Sequence, residues 1–274
     1  MASSERAQWA RLDIDGAGLL ADLAAGVSLA RAVQFDTPQP WFGAAPARSA
    51  PLRSGHFNGE VAQGASCNCR VVSFTPHADG THTECAAHLT IEALDAYRVI
   101  PQRLLPAVLL SVTPSPASAS PESSVPAPHE ADQLITRAAL ERAWPRALVP
   151  RLRARAAIIR TRPPAGRSPE YPPYLSQEAA SALVQRGVLH LVLDVPSADR
   201  IDDGGALTAH RIFFGLPVRS RALPEAQRRE ATITELALIE ESLTDGWYLL
   251  SLQSPAIPGD AVPSRPVLYA LRTA

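Results

Sequence analysis

Three of the chain's seven histidines fall between His77 and His88, in the run His-Ala-Asp-Gly-Thr-His-Thr-Glu-Cys-Ala-Ala-His. Imidazole nitrogens and carboxylate oxygens are ligands for zinc, manganese or iron, so the run has the composition of a metal site. On an extended segment, His82 and Glu84 point to one face, because side chains alternate with a period of two. A helical turn beginning near Glu84 brings His88, four residues on, round to that face. Gly80 permits a sharp change of direction ahead of them. The spacing is not His-Glu-x-x-His, which excludes the zinc-protease helix.

The run resembles the signature of the cyclase-like metal hydrolases, His-x-Gly-Thr-His-x-Asp-x-Pro-x-His. That family is best known from bacterial kynurenine formamidases and includes isatin hydrolase. His77, Gly80, Thr81, His82, Glu84 and His88 match it in order. One extra residue stands between His77 and Gly80, glutamate replaces aspartate at 84, and Cys85-Ala86-Ala87 replaces a proline-containing tripeptide. Asp194-Val195-Pro196-Ser197-Ala198-Asp199, followed by His210, is similar to a second family block, and Ile233-Thr234-Glu235 to a third. The resemblance thus spans most of the chain from the first motif onward.

The resemblance implies a site with His77 and His82 on one metal ion, Glu84 and Glu235 shared, and His210 on the second ion. Ions bridged in this way lie about 3.5–4 Å apart. It gives His88 to acid–base chemistry rather than to the metal, and imidazole titrates in the range such work needs. The expected cofactor is a divalent metal, zinc first and manganese second, with one or two ions per chain. The expected reaction is hydrolysis of an amide C–N bond, N-formylkynurenine being the family's best-known substrate, with a cyclic amide or a lactone as the close alternative. The expected fold is a single swivelling β/β/α domain, an α/β arrangement with a mixed sheet or barrel, assembled as a homodimer or tetramer. The family also draws a pocket aromatic from the N-terminal part, a place open to Trp41 or Phe42; a tryptophan capping the core edge competes with it.

Two other functions remain open from the residues alone. One is a metal-bound binding protein without activity, against which the presence of His88 counts. The other is a closed structural zinc site, but such sites take four ligands, often cysteines. Cys85 is either a soft ligand or a small buried filler, the latter because its neighbour Glu84 faces the opposite way. His190, inside an apolar strand, is expected to be a hydrogen-bonded core residue, and His129 to be solvated.

An apolar content of 46% with net charge −1 describes a globular protein with ample core and offers no electrostatic case for nucleic acid or an anionic membrane. All 26 basic residues are arginine, which removes lysine Schiff-base chemistry and the P-loop lysine. Three cysteines, at 67, 69 and 85, and no signal-like apolar run at the N-terminus suit a cytoplasmic protein.

The elements that must position these groups read as follows. Ala17–Val33 has leucines at helix-like spacing and predicts a short helix or a strand–helix entry. Phe35–Gly43, rich in proline, is an extended loop. Cys67–Phe74 predicts a strand, with Cys67 and Cys69 as two small buried residues or a redox or metal pair. Ala107–Val112 and Ala156–Thr161 predict strands, and 113–128, rich in Ser, Pro and Ala, an exposed loop. Ala131–Trp144 predicts a helix capped by Asp132, and Gln177–Arg186 one capped by Ser176 and stopped at Gly187. Arg162–Tyr174, with five prolines, is irregular. Val188–Asp194, the segment at Ile233, Trp247–Gln253 and Val267–Leu271 predict strands, with Arg219–Glu230 a charged surface excursion. Alternating strands and helices argue for α/β layering, and no internal repeat is present.

Overall fold

The computed structural model describes residues 9–38, 41–162 and 171–274. A curled mixed sheet of eleven strands dominates it. In spatial order the strands are Trp9–Ile14, Ala17–Asp22, Arg265–Thr273, Gly246–Gln253, Leu105–Val112, Ala156–Thr161, His190–Leu193, Thr232–Glu235, His82–Glu84 and Ala261–Pro263, with Val27–Ser28 pairing beside Arg265–Thr273. The last-named strand of that order and the third are joined by Ser264 alone. Pro263 and Arg265 therefore sit within about 7 Å of one another, the reach of two residues. A flat sheet would put them seven strands apart, so the sheet must roll up into a barrel-like layer.

Leu105–Val112, Ala156–Thr161, His190–Leu193 and Thr232–Glu235 run parallel. Both of their faces are covered, as parallel strands require, and the period of two divides their side chains. Val108, Leu110, Ala157, Ile159, Leu191, Leu193 and Ile233 pack with the helices Arg137–Ala143, Gln177–Gln185 and Thr208–Phe214. Leu109, Ile158 and Val192 pack with Leu250 and Leu252 of the neighbouring Gly246–Gln253 strand and with Val262 and Leu268 from strands further off in the order. The sites of chemistry sit where these parallel strands end. Among the described residues no helix is long and apolar enough to cross a membrane.

Most of the expected elements form, and the departures have physical reasons. Ala17–Asp22 is a strand, not a helix, in a hairpin with Trp9–Ile14. Asp15 and Gly16, at φ 53 and 76, make the tight Asp-Gly turn whose twist suits a hairpin. The Arg137–Ala143 helix begins after a short strand, Gln133–Ile135, and its cap is Thr136, which accepts the Ala139 N–H. Asp132 is instead buried, taking hydrogen bonds from the Tyr174 hydroxyl and Arg200. The strand around Cys67–Cys69 shortens to Arg70–Ser73; Cys67 is exposed and Cys69 half-buried, so the two are not a buried pair. Arg219–Glu230 is no free excursion: Ala226 is buried, and Arg228 stacks on Phe213 and donates to the Phe213 and Val188 carbonyls. The 113–128 loop is tethered by Glu122, which accepts the Arg137 and Ala138 N–H groups and the Ser176 hydroxyl. Ser176 caps Gln177–Gln185 as expected. Residues 163–170, most of the proline-rich stretch, lie outside the described residues.

His190 is a core residue, its Nδ1 3.0 Å from the Thr232 hydroxyl. Burial, helped by Arg103 and Arg228, pushes it down to about 4 from 6.5. The folded state then binds the proton less well than the unfolded chain, so the stability involved is complete above pH 6.5 and is lost as pH falls through 4. We expect His190→Gln to lose less stability than wild type between pH 7 and 4 in denaturant titrations, by up to about 3 kcal/mol. Equal losses would show that this histidine is not held neutral.

Candidate metal centre

The His82–Glu84 strand lies between Thr232–Glu235 and Ala261–Pro263, both antiparallel to it. This register pairs His82 with Glu235, and Glu84 with both Ile233 and Ala261. His82 and Glu84 share one face, while Thr83 points the other way and is anchored to the Thr234 and Ser264 hydroxyls. His77 stands on the one-turn helix Pro76–Asp79, which takes up the extra residue of the motif. Gly80 follows where a side chain would be tight: a Cβ there would lie 3.1 Å from the Arg31 carbonyl oxygen. His88 arrives on the turn Ala86–Leu89. His210 enters on the helix Thr208–Phe214, whose first residues follow Leu207 in the left-handed region.

These side chains converge. His210 Nε2 is 2.7 Å from Glu84 Oε1 and 3.4 Å from Glu235 Oε1. His82 Nε2 is 3.5 Å from Glu235 Oε2. His77 Nδ1 and His88 Nε2 are 3.2 and 3.9 Å from Glu84 Oε2. Ligand atoms of His82, Glu84 and Glu235 lie within 4.8 Å of one another, and so do those of His77, Glu84 and His88. Glu84 is common to both groups. His77 lies against both His88 and His82, ring centroids 4.4 and 5.2 Å apart.

His82 Nε2, His210 Nε2 and both Glu84 oxygens are buried without a hydrogen-bond partner. The close approaches are therefore not aligned as hydrogen bonds: these atoms face a common space. Orphaned buried polar atoms are costly, and a cation is the partner that satisfies two imidazole lone pairs and a carboxylate at once. The outer nitrogens are in contrast satisfied. His82 Nδ1 is 3.0 Å from the Gly80 carbonyl and His210 Nδ1 is 2.7 Å from Asp199, the arrangement that orients metal-binding histidines. Asp199 also accepts the Ala209 and His210 N–H groups, and Glu235 Oε1 accepts that of Ala198.

The charges agree with this. Burial opposes ionisation of Glu84, yet His88, His210 and His77 hold it well below the carboxylate range. Burial likewise opposes charge on His77 and His210. Asp260 and Glu84 overcome it at His77, which is raised to about 10; Glu84 and Asp199 overcome it at His210. The acidic cluster thus demands positive counter-charge, and a divalent cation supplies it while releasing those protons. The donor set fits such an ion.

Cys85 is buried among apolar residues with its thiol on the Leu94 carbonyl, facing away from the centre. Trp41 is half-buried in a turn closed by the Ala44 N–H. Asp260 and the orienting role of Asp199 went unread in the sequence. Asp260 lies in Pro258-Gly259-Asp260, which signals only a turn, and it reaches the histidines through strand pairing across more than 170 residues.

No curated protein matches the chain in sequence. Among solved structures it is similar to a predicted metal-dependent hydrolase from Bacillus stearothermophilus, with TM-score 0.55 and 13% identity over 89% of this chain and 97% of that one. It is similar to isatin hydrolase A from Labrenzia aggregata, with TM-score 0.53 and 17% identity over 92% and 96%. Isatin hydrolase A from Ralstonia solanacearum gives 0.51 and 16% over 89% and 91%. At these identities the likeness is one of fold. The model of the putative cyclase family matches residues 26–200, more than half of the chain and all of the first motif; with the fold and the convergent His–Glu cluster beside it, the chain belongs to that family.

Proposed function

We propose that this protein is a metal-dependent hydrolase of an amide C–N bond. The observation that carries the reading is the set of partnerless buried nitrogens and oxygens around Glu84, beside two histidines that remain a quarter exposed. His77, His82, Glu84, Glu235 and His210 would hold one or two ions, zinc before manganese. When bound, such an ion polarises a carbonyl oxygen and makes a water nucleophilic near neutral pH.

The chain's own groups do the rest. Glu84 and Glu235 supply negative charge while buried, where it is poorly screened. His88, with one nitrogen on Asp260 and the other facing Glu84, can take a proton and deliver it to a leaving nitrogen at the solvent edge. Trp41 is the proposed wall of the substrate pocket. The first substrate to try is N-formylkynurenine, which would give the protein a cytoplasmic place in tryptophan breakdown, with the chain acting as a homo-oligomer. The longer arm of Glu84 and the added turn under His77 reshape the rim, and this favours a second reading: a cyclic amide such as isatin, or a lactone.

The test is metal analysis of purified protein together with hydrolysis assays on an aryl formamide, isatin and a lactone. We expect about one to two ions per chain. We also expect turnover that a chelator abolishes, and a chelator-induced fall in melting temperature equivalent to about 4 kcal/mol if the ion had been present at a thousand times its Kd. Metal-free protein that gains no activity from any added divalent ion would overturn the reading.

A further inference from the structure

We propose that Asp260 is a positioning residue for both His77 and His88, deciding which nitrogen of each ring faces Glu84. Asp260 Oδ2 is 3.0 Å from His77 Nε2 and 3.0 Å from His88 Nδ1. A carboxylate oxygen at hydrogen-bond distance from two ring nitrogens serves as the acceptor for both. Both nitrogens that face it are therefore N–H groups. The lone pairs are left on His77 Nδ1 and His88 Nε2, the two atoms nearest Glu84 Oε2.

The inner histidines follow the same plan. Gly80 holds His82 and Asp199 holds His210, each by the outer nitrogen. His77 differs from the other three in turning Nδ1 rather than Nε2 inward. One carboxylate thus serves two rings, where each inner ring has an acceptor of its own.

Asp260 is itself firmly placed. Its carbonyl accepts the Cys85 N–H at 3.0 Å, and Gly259 is tied on both sides, donating to Asp95 and accepting from Ala96. The next residue, Ala261, is the register partner of Glu84. Backbone pairing therefore sets the spacing between the carboxylate that orients the rings and the carboxylate they face. His77 stands among the proposed ligands and His88 is the proposed proton carrier, so Asp260 couples metal binding to proton transfer; this consequence rests on the hydrolase reading above.

The experiment is long-range nitrogen–proton NMR of the histidine rings in 15N-labelled, zinc-loaded protein, with kinetics and chelator competition alongside. The wild type is expected to carry a ring proton on His77 Nε2 and on His88 Nδ1. In Asp260→Ala the one oxygen that both rings share, Oδ2, is gone and nothing takes its place as acceptor. At least one ring should then lose its pattern, metal affinity and kcat should each fall about ten- to a hundredfold, and KM should change little. Asp260→Glu should restore the ring pattern in part. A lone proton on His77 Nδ1 or on His88 Nε2 in the wild type overturns the proposal, as does Asp260→Ala with wild-type ring patterns and kcat. If the wild type hydrolyses no amide or lactone, the hydrolase reading fails, while the ring spectra still decide the role of Asp260.

Discussion

Glu84→Gln is expected to empty the centre of metal and to lower turnover by at least about a thousandfold. Glu84 is the one residue common to both ligand groups, with Oε1 2.7 Å from His210 and Oε2 3.2 Å from His77. The amide keeps the shape but removes the charge and replaces one lone-pair oxygen by a donor. His77, His210 and any bound ion then lose the negative charge placed between them. A contribution of several kcal/mol from the ion to the barrier, at 1.36 kcal/mol per tenfold, sets the size of the effect. Elemental analysis and kcat on the same preparation check it. A Glu84→Gln protein with the wild-type metal content would show that the two groups do not depend on a shared carboxylate.

His88→Ala should separate binding from chemistry. Its Nε2 stands 3.9 Å from Glu84 Oε2, further than the facing nitrogens of His77 and His210, and its ring is a quarter exposed. As a proton carrier it should cost about a hundred- to ten-thousandfold in kcat when removed, while metal content stays at the wild-type level. Loss of one ion together with the activity would instead place His88 among the ligands with His77 and Glu84. Either result fixes its role, because the metal content responds to one function only.

The centre was legible where local geometry carries it. The face shared by His82 and Glu84 follows from the strand period, and the return of His88 from a turn four residues long. Ser176 as a cap, and the strands at Ala156–Thr161 and Thr232–Glu235, were likewise readable. In the N-terminal ribbon Leu19, Leu20 and Leu23 fit both periods over so short a span, which leaves a helix and a strand entry open; the deciding signal is the Asp15-Gly16 turn before them. Asp132 reads as a cap in the sequence, yet Thr136 sits where the helix begins, and Asp132 is held by Tyr174 and Arg200, partners remote in sequence. Asp260 belongs to the same class. A turn tripeptide does not announce which strand its neighbour will join, so contacts made through sheet order stay hidden until the order is known.

The single-residue step at Ser264 bears on how the molecule is made. Residues 261–263 flank Glu84, while 265–273 zip onto Val27–Ser28 and the N-terminal hairpin. Pairings this distant along the chain are slow to form, since loop closure precedes their reward. A nascent chain on the ribosome that has already released His77, His82, Glu84, His210 and Glu235 still lacks Asp260 and one whole side of the His82–Glu84 strand. The ligands are all synthesised before residue 260, so the cage around them closes only once the strand that follows it has emerged.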